Sequence, residues 1–251
     1  MSSATVTHLG LDGALRRAAR VDRLLVATAF DGTLTPHKGA APDRRALEAL
    51  CALADVRHTA AAVISGRALR DLALASRLPF PVALIGSHGA ETGPNLEREL
   101  APASRGRLER LAEEARSLVA ATPGAEFERK PAGVVVHLRG VDAAGSRWVR
   151  ERMRGGLGLR EGVRVIDGAE VVELTVATQD KGDALEGLRT DFGADAVVYF
   201  GDDEPDEAAF ARCGDRDVTV RVGEGESAAA YRVPDGAAVT EALRTLLVAR
   251  G

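Results

Sequence analysis

Short apolar runs alternate with amphipathic stretches along the first 85 residues. Leu24-Leu25-Val26-Ala27 has no polar position, which predicts a strand buried on both faces. Leu47, Leu50 and Leu53 repeat at helical spacing within 41–54, with Pro42 near the start. Residues 60–64 predict a second strand, 69–78 a helix and 82–85 a third strand. Strand–helix–strand alternation of this kind predicts a parallel sheet with helices on both faces. After about residue 100 the rhythm changes. Residues 108–119 read as a helix, 126–130 and 133–138 as paired strands around Pro131-Ala132-Gly133, and 143–153 as a helix. A second hairpin, 163–166 with 171–176, turns about Asp167-Gly168. From Lys181 the first rhythm returns: a helix, a strand at 196–200, a helix at 207–212, a strand at 218–222 and a closing helix at 237–247. The pattern predicts one α/β core made of residues 1–102 and 179–251, interrupted over 103–178 by an α+β unit with an antiparallel sheet. Gly155-Gly156-Leu157-Gly158 follows no strand and opens no helix, so it reads as a turn.

Composition narrows the function classes. The chain has 251 residues, 45% hydrophobic and 28% charged, which suits a globular protein. Its net charge is −4, no long basic run occurs and aromatics are 4%, which argues against a nucleic-acid surface. No apolar run approaches the ~18 residues of a membrane span, and the N-terminus lacks a basic-then-apolar leader, so a cytoplasmic location is expected. Cys51 and Cys213 make no disulfide framework and are expected as buried thiols in a reducing compartment. The absence of a heptad pattern or apolar stripe leads us to expect a monomer.

Four short motifs carry chemistry, and the pattern places them at the carboxyl ends of core strands, where open parallel sheets bind ligands. The first is Ala29-Phe30-Asp31-Gly32-Thr33-Leu34. The second, Val63-Ile64-Ser65-Gly66-Arg67, offers a hydroxyl for a phosphoryl oxygen, a glycine for close backbone approach and a planar guanidinium fork. The third, Gln179-Asp180-Lys181-Gly182-Asp183, puts a lysine at a helix start, unfavourable for the helix dipole unless it serves an anion. The fourth, Gly201-Asp202-Asp203-Glu204-Pro205-Asp206-Glu207, gathers carboxylates that a hard divalent cation would relieve of mutual repulsion. Singly, each has a bland reading as a turn, a cap, a solvated lysine or an acidic loop. Their order along one chain is the strong signal.

These motifs resemble those of the haloacid-dehalogenase-like phosphatases, whose first strand ends in Asp-x-Asp-Gly-Thr-Leu. The resemblance implies a Rossmann-like parallel-sheet core with an inserted α+β cap, a Mg²⁺ cofactor and an aspartyl-phosphate intermediate. Asp31 matches the acid/base, with its main-chain carbonyl at the metal. Lys181 matches the lysine that neutralises nucleophile and phosphate, Asp202 the direct metal ligand and Asp206 its supporting carboxylate. The nucleophile position, however, is Ala29. From about Leu24 to Leu247 the details are similar to the trehalose-6-phosphate phosphatases, in Gly86-Ser87-His88-Gly89-Ala90-Glu91, Glu128-Arg129-Lys130, Val135-Val136-His137-Leu138-Arg139, Val172-Glu173-Leu174 and Val220-Arg221-Val222-Gly223. That resemblance implies Glu128, Lys130 and Glu173 on the sugar, while the chemistry of the second motif places Ser65 in catalysis and Gly66 and Arg67 on the substrate; His88 follows a core strand, where it either reaches substrate, the preferred reading, or satisfies a backbone carbonyl. His137 and Arg139 share a strand face and read as structural.

The alanine methyl has no lone pair, so the covalent intermediate cannot form at position 29. Three accounts stay open: a chain inactivated to trap substrate, a natural pseudophosphatase that binds a sugar phosphate or a partner protein, or a shifted register with Asp31 as nucleophile and Thr33 two residues on. The ancestral reaction implied is Mg²⁺-dependent hydrolysis of trehalose 6-phosphate, with related disaccharide or pseudo-disaccharide phosphates as rivals and a trehalose-phosphate synthase as a candidate partner. Pro205 replaces the family's usual Thr, which stiffens the acidic loop and removes a hydroxyl.

Overall fold

The computed structural model describes residues 4–93, 95–168 and 170–251. The chain divides into two compact units, Met1–Thr92 with Gln179–Gly251 and Gly93–Thr178. The first division lies ahead of the expected residue 103.

The first unit holds a six-stranded sheet. Its strands are β1 (Leu24–Thr28), β2 (Thr59–Ile64), β3 (Ala83–Ile85), β8 (Ala196–Gly201), β9 (Val218–Val222) and β10 (Tyr231–Val233), in the order β10-β9-β8-β1-β2-β3. Every neighbouring pair is parallel. The chain adds strands outward from β1 on one side, then restarts at β8 on the other. That reversal opens a crevice between β1 and β8 beyond their carboxyl ends. Alternate residues serve opposite faces. Leu24, Val26, Val63, Val198 and Phe200 join one apolar cluster with Leu50 and Leu53 of α2 (Arg44–Asp55) and Leu243 and Leu246 of α9 (Gly236–Arg250). Leu25, Ala27, Ile64, Val197 and Tyr199 join the other with Leu185 of α7 (Lys181–Phe192) and Phe210 of α8 (Asp206–Ala211). Being buried on both sides is why these strands read as unbroken apolar runs.

Several boundaries differ from the pattern for local reasons. Helix α2 starts two residues after Pro42 because Asp43 caps it, accepting from Arg45 N. Asp235 likewise caps α9. Helix α1 (Ala4–Ala18) was not expected; it buries Leu11, Ala14, Leu15 and Ala18. Strand β10 was also not expected. The two cysteines are half-buried free thiols, not fully buried ones. No described helix is long and apolar enough to cross a membrane.

In the second unit, β4 (Glu126–Lys130), β5 (Gly133–His137), β6 (Arg164–Asp167) and β7 (Val171–Thr175) form an antiparallel sheet in the order β4-β5-β7-β6. Helices α5 (Pro102–Ala120) and α6 (Ala143–Gly155) bury Leu108, Leu111, Ala115, Val149 and Met153, and both pack against strands of this sheet. Helix α5 begins six residues before its apolar period, with Pro102 in the first turn, where a missing N–H costs nothing. Residues 155–158 turn out of α6 into a 3₁₀ turn at Leu157–Leu159.

Candidate active site

The tip of β1 lies in the crevice. Ala29 donates its N–H to Phe200 O at 2.7 Å, tying the tips of β1 and β8, and its side chain is buried. The chain then folds back on itself, with Leu34 N and Thr35 N both donating to Phe30 O. This brings Gly32, at φ +78°, against Asp202. A Cβ there would lie 1.8 Å from Asp202 Oδ2, so only glycine allows the carboxylate to rest on that turn. Thr33 Oγ1 donates to Asp202 Oδ1 at 2.8 Å. Replacing Gly32 by Ala is expected to displace Asp202 and to cost about 1–3 kcal/mol, read as a lowered unfolding midpoint.

Asp31 faces the tip of β2. Arg67 grips it with both arms, Nε to Oδ2 at 2.7 Å and Nη2 to Oδ1 at 2.6 Å, while the guanidinium sits 5.3 Å from the Phe30 ring centre. Ser65 is buried and its Oγ accepts from Arg67 N at 3.2 Å. Its carbonyl accepts from His88 N, and the His88 ring packs directly on Gly66. Ser87 and His88 both have positive φ, 49° and 56°, a conformation that non-glycine residues adopt only where the surroundings enforce it. Glu91 enforces it here, accepting from Ser87 Oγ and from Leu69 N at the start of α3 (Leu69–Ser76).

Lys181 opens α7 behind a capping box formed by Asp180 and Asp183. It comes from a helix start and not from a core strand tip, which corrects the expectation for the third motif; the strand preceding it belongs to the other unit. Its side chain is 2% exposed, and Nζ donates to Asp206 Oδ1 at 2.8 Å and Asp203 Oδ1 at 3.1 Å. Burial alone would push the ammonium pKa down; Asp203 and Asp206 outweigh that and raise it, so the group stays charged. Asp206, fully buried, also accepts from Tyr199 Oη at 2.6 Å and from the N–H groups of Asp202 and Asp203. Burial would raise its pKa, yet Lys181 and these donors hold it down at about 2. Asp202 is pushed up to about 6, by burial and then by Asp206. Asp203 also moves up, through burial and against the pull of Lys181. Arg221 supports the loop from β9, donating to Asp203 O at 3.0 Å and to Glu207 Oε1. A cavity of about 610 Å³ opens beside Gly32 and Asp202, towards Gly223 and the start of α9.

The structure thus joins Ala29, Asp31, Ser65, Gly66, Arg67, His88, Lys181, Asp202 and Asp206 through one chain of contacts in the first unit. Thr33, Asp203 and Arg221, which the sequence motifs contain without a role in the phosphatase reading, belong to the same network, as does Tyr199. Glu128, Lys130 and Glu173 lie in the second unit. The register pairs Glu128 with Val135 and Val135 with Glu173, so the two glutamates share a sheet face, and Lys130 shares it two positions on. Lys130 and Glu173 form a buried ion pair, and His137 Nε2 bonds Glu128 Oε2 at 2.7 Å.

Fit to a divalent cation can be judged from the donors. Asp206 has both oxygens committed, Asp31 has both on Arg67, and Ala29 has none. Among the described residues no three His, Cys, Asp or Glu side chains group as metal ligands. Of the residues expected at the metal, what remains is the Asp202 carboxylate, seated on Gly32, and the Asp31 main-chain carbonyl. That set fits Mg²⁺, which keeps several waters and commonly binds through one or two carboxylates together with ligand phosphates.

A doubly wound parallel sheet with an inserted α+β unit, and with Asp-Gly-Thr, Ser, Lys and Gly-Asp-Asp converging at its switch point, defines a haloacid-dehalogenase-like phosphatase fold. The trehalose-phosphatase family model matches residues 28–238, and the chain belongs to that family. It is 32% identical to the trehalose-phosphate phosphatase of Mycobacterium marinum, over 92% of this chain and 64% of that protein. It is also 32% identical to the bifunctional trehalose-6-phosphate synthase/phosphatase of Thermoproteus tenax, over 91% of this chain and 32% of that protein. The chain therefore spans between about a third and two thirds of these relatives' length. The C-terminal domain of the Candida albicans trehalose-6-phosphate phosphatase has the same fold, with a TM-score of 0.80 at 20% identity, covering 95% of this chain and 96% of that one.

Proposed function

We propose that the chain binds trehalose 6-phosphate, with the phosphoryl group held by the first unit, and that it hydrolyses this ester to trehalose and phosphate weakly or not at all. Ala29 at the nucleophile position is the reason for the weak turnover. The observation that carries the reading is the junction of Asp31, Ser65, Lys181 and Asp202 at the crevice between β1 and β8. In this reading, Lys181 presents a fixed positive charge to the phosphoryl oxygens. Ser65 offers its hydroxyl, Gly66 lets the backbone come close and Arg67 adds a planar donor pair. Any residual hydrolysis forms the new P–O bond from water, which gives up a proton to solvent, while Asp31 passes a proton to the leaving sugar oxygen; this requires its clamp to Arg67 to open, because both carboxylate oxygens are taken. Mg²⁺, when bound, supplies positive charge to the phosphoryl oxygens; Asp202 and the Asp31 carbonyl would hold it. Glu128, Lys130 and Glu173 read the sugar hydroxyls. His88, placed over Gly66, lies on the substrate side of the β2 tip.

A pseudophosphatase that retains the sugar phosphate as a signal, or that serves a trehalose-phosphate synthase, is the second reading. Ala29 favours it, as does the fused synthase/phosphatase among the relatives.

Calorimetric titration tests the binding claim. The chain is expected to bind trehalose 6-phosphate and inorganic phosphate, more weakly after Mg²⁺ is chelated. Ser65→Ala is expected to weaken both by about tenfold or more, the worth of one hydrogen bond to a charged group. A folded chain that binds neither ligand ends the proposal.

A further inference from the structure

The second unit's sheet has one apolar and one polar face. Val134, Val136, Val172 and Leu174 are fully buried and alternate with residues of the opposite face. On that opposite face the register sets Glu126, Glu128 and Lys130 of β4 beside Gly133, Val135 and His137 of β5. Val171, Glu173 and Thr175 of β7 follow, and then Arg164 and Ile166 of β6. Gly133 stands between Lys130 and Thr175, with a Cβ position only 3.3 Å from Glu173 Oε1. Its lack of a side chain gives the Lys130–Glu173 pair its room.

His137 lies directly opposite Glu126 in the β4–β5 ladder, yet its Nε2 bonds Glu128, the diagonal neighbour, at 2.7 Å. Val135, which lies between His137 and Glu128 in the register, is buried. A carboxylate only accepts, so a neutral His137 must carry its proton on Nε2 to make this bond. Each of the two glutamates assigned to the sugar therefore has its own donor: Lys130 for Glu173 and His137 for Glu128. A glutamate side chain has three rotatable bonds, and a carboxylate that must be ordered at the moment of binding gives up that freedom then.

His137 and Glu128 remain 23% and 29% exposed, so the pair is half-buried and still reachable by a ligand on this face. The strand also runs Gly-Val-Val-Val before turning polar at His137 alone.

We infer that His137 is a positioning residue, which fixes Glu128 in the orientation that reads a saccharide hydroxyl. The inference rests on the assignment of the second unit's polar face to the sugar. Its test separates that face from the phosphoryl site by using two probes on the full chain, trehalose 6-phosphate and inorganic phosphate. His137→Ala is expected to raise the Kd for trehalose 6-phosphate about tenfold and to leave that for inorganic phosphate unchanged. His137→Gln places an amide N–H near the position of Nε2 and is expected to recover most of the loss. Equal weakening by Ala and Gln, no weakening by Ala, or equal loss for both probes overturns the inference. A parent chain that binds both probes with the same affinity removes the sugar-reading face and this inference with it. A parent chain that does not bind inorganic phosphate overturns the assignment of the first unit instead.

Discussion

Placing aspartate at position 29 is expected to raise phosphate release from trehalose 6-phosphate by about 10⁴- to 10⁶-fold, the range lost when a nucleophile is removed from a catalytic unit. The backbone at this position needs no rearrangement, because Ala29 N is already bonded to Phe200 O and the turn that follows is closed onto Phe30 O. The aspartate would supply both the attacking oxygen and a second carboxylate beside Asp202, so the gain should come with a tighter requirement for Mg²⁺. The measurement is phosphate release on a panel of sugar phosphates, with and without chelator. A gain on one sugar phosphate also names the substrate. If both chains are folded and inert across the panel, the phosphatase assignment is wrong. The shifted register makes the opposite forecast for this variant: with Asp31 as nucleophile, Ala29→Asp would add nothing.

Asp206→Ala is expected to destabilise the first unit by about 3–5 kcal/mol, the cost of removing one partner from a buried ion pair, although Asp203 still faces Lys181 at 3.1 Å. Lys181 is 2% exposed and would lose its closest acceptor, and Tyr199 Oη with the N–H groups of Asp202 and Asp203 would lose theirs. The midpoint of thermal unfolding should fall by roughly 10 °C. The pH dependence has a definite sign. The carboxyl of Asp206 titrates lower in the fold, at about 2, than its ordinary 3.8. Its contribution is therefore complete above 3.8 and disappears as pH falls towards about 2. Parent and variant should differ most near neutral pH and converge in acid. Calorimetric scans across that range check this, and a gap that persists unchanged at pH 2 contradicts it.

Much of the fold was legible because strands buried on both faces leave unbroken apolar runs, and because Asp-Gly-Thr, Ser-Gly-Arg and Gly-Asp-Asp end three of them. The misses have physical causes. Helix α1 buries two alanines beside Leu11 and Leu15, and alanine marks an apolar face weakly. Strand β10 is three residues long and contains Arg232. Tyr199 sits inside an apolar strand, so its hydroxyl bond to Asp206 has no signature in the pattern. The grip of Arg67 on Asp31 joins residues 36 apart, and the contact of Gly32 with Asp202 joins residues far more distant. Both depend on which strands become neighbours, and residue spacing does not carry that order.

The chain has three lysines, Lys38, Lys130 and Lys181. Lys38 is exposed, while Lys130 and Lys181 are nearly sealed from solvent, one in each unit. An amine-reactive label applied to the native protein should therefore modify Lys38 among the side chains and spare the other two. Appearance of label at Lys130 or at Lys181 during a denaturant series would report, by peptide mapping, the opening of one unit independently of the other.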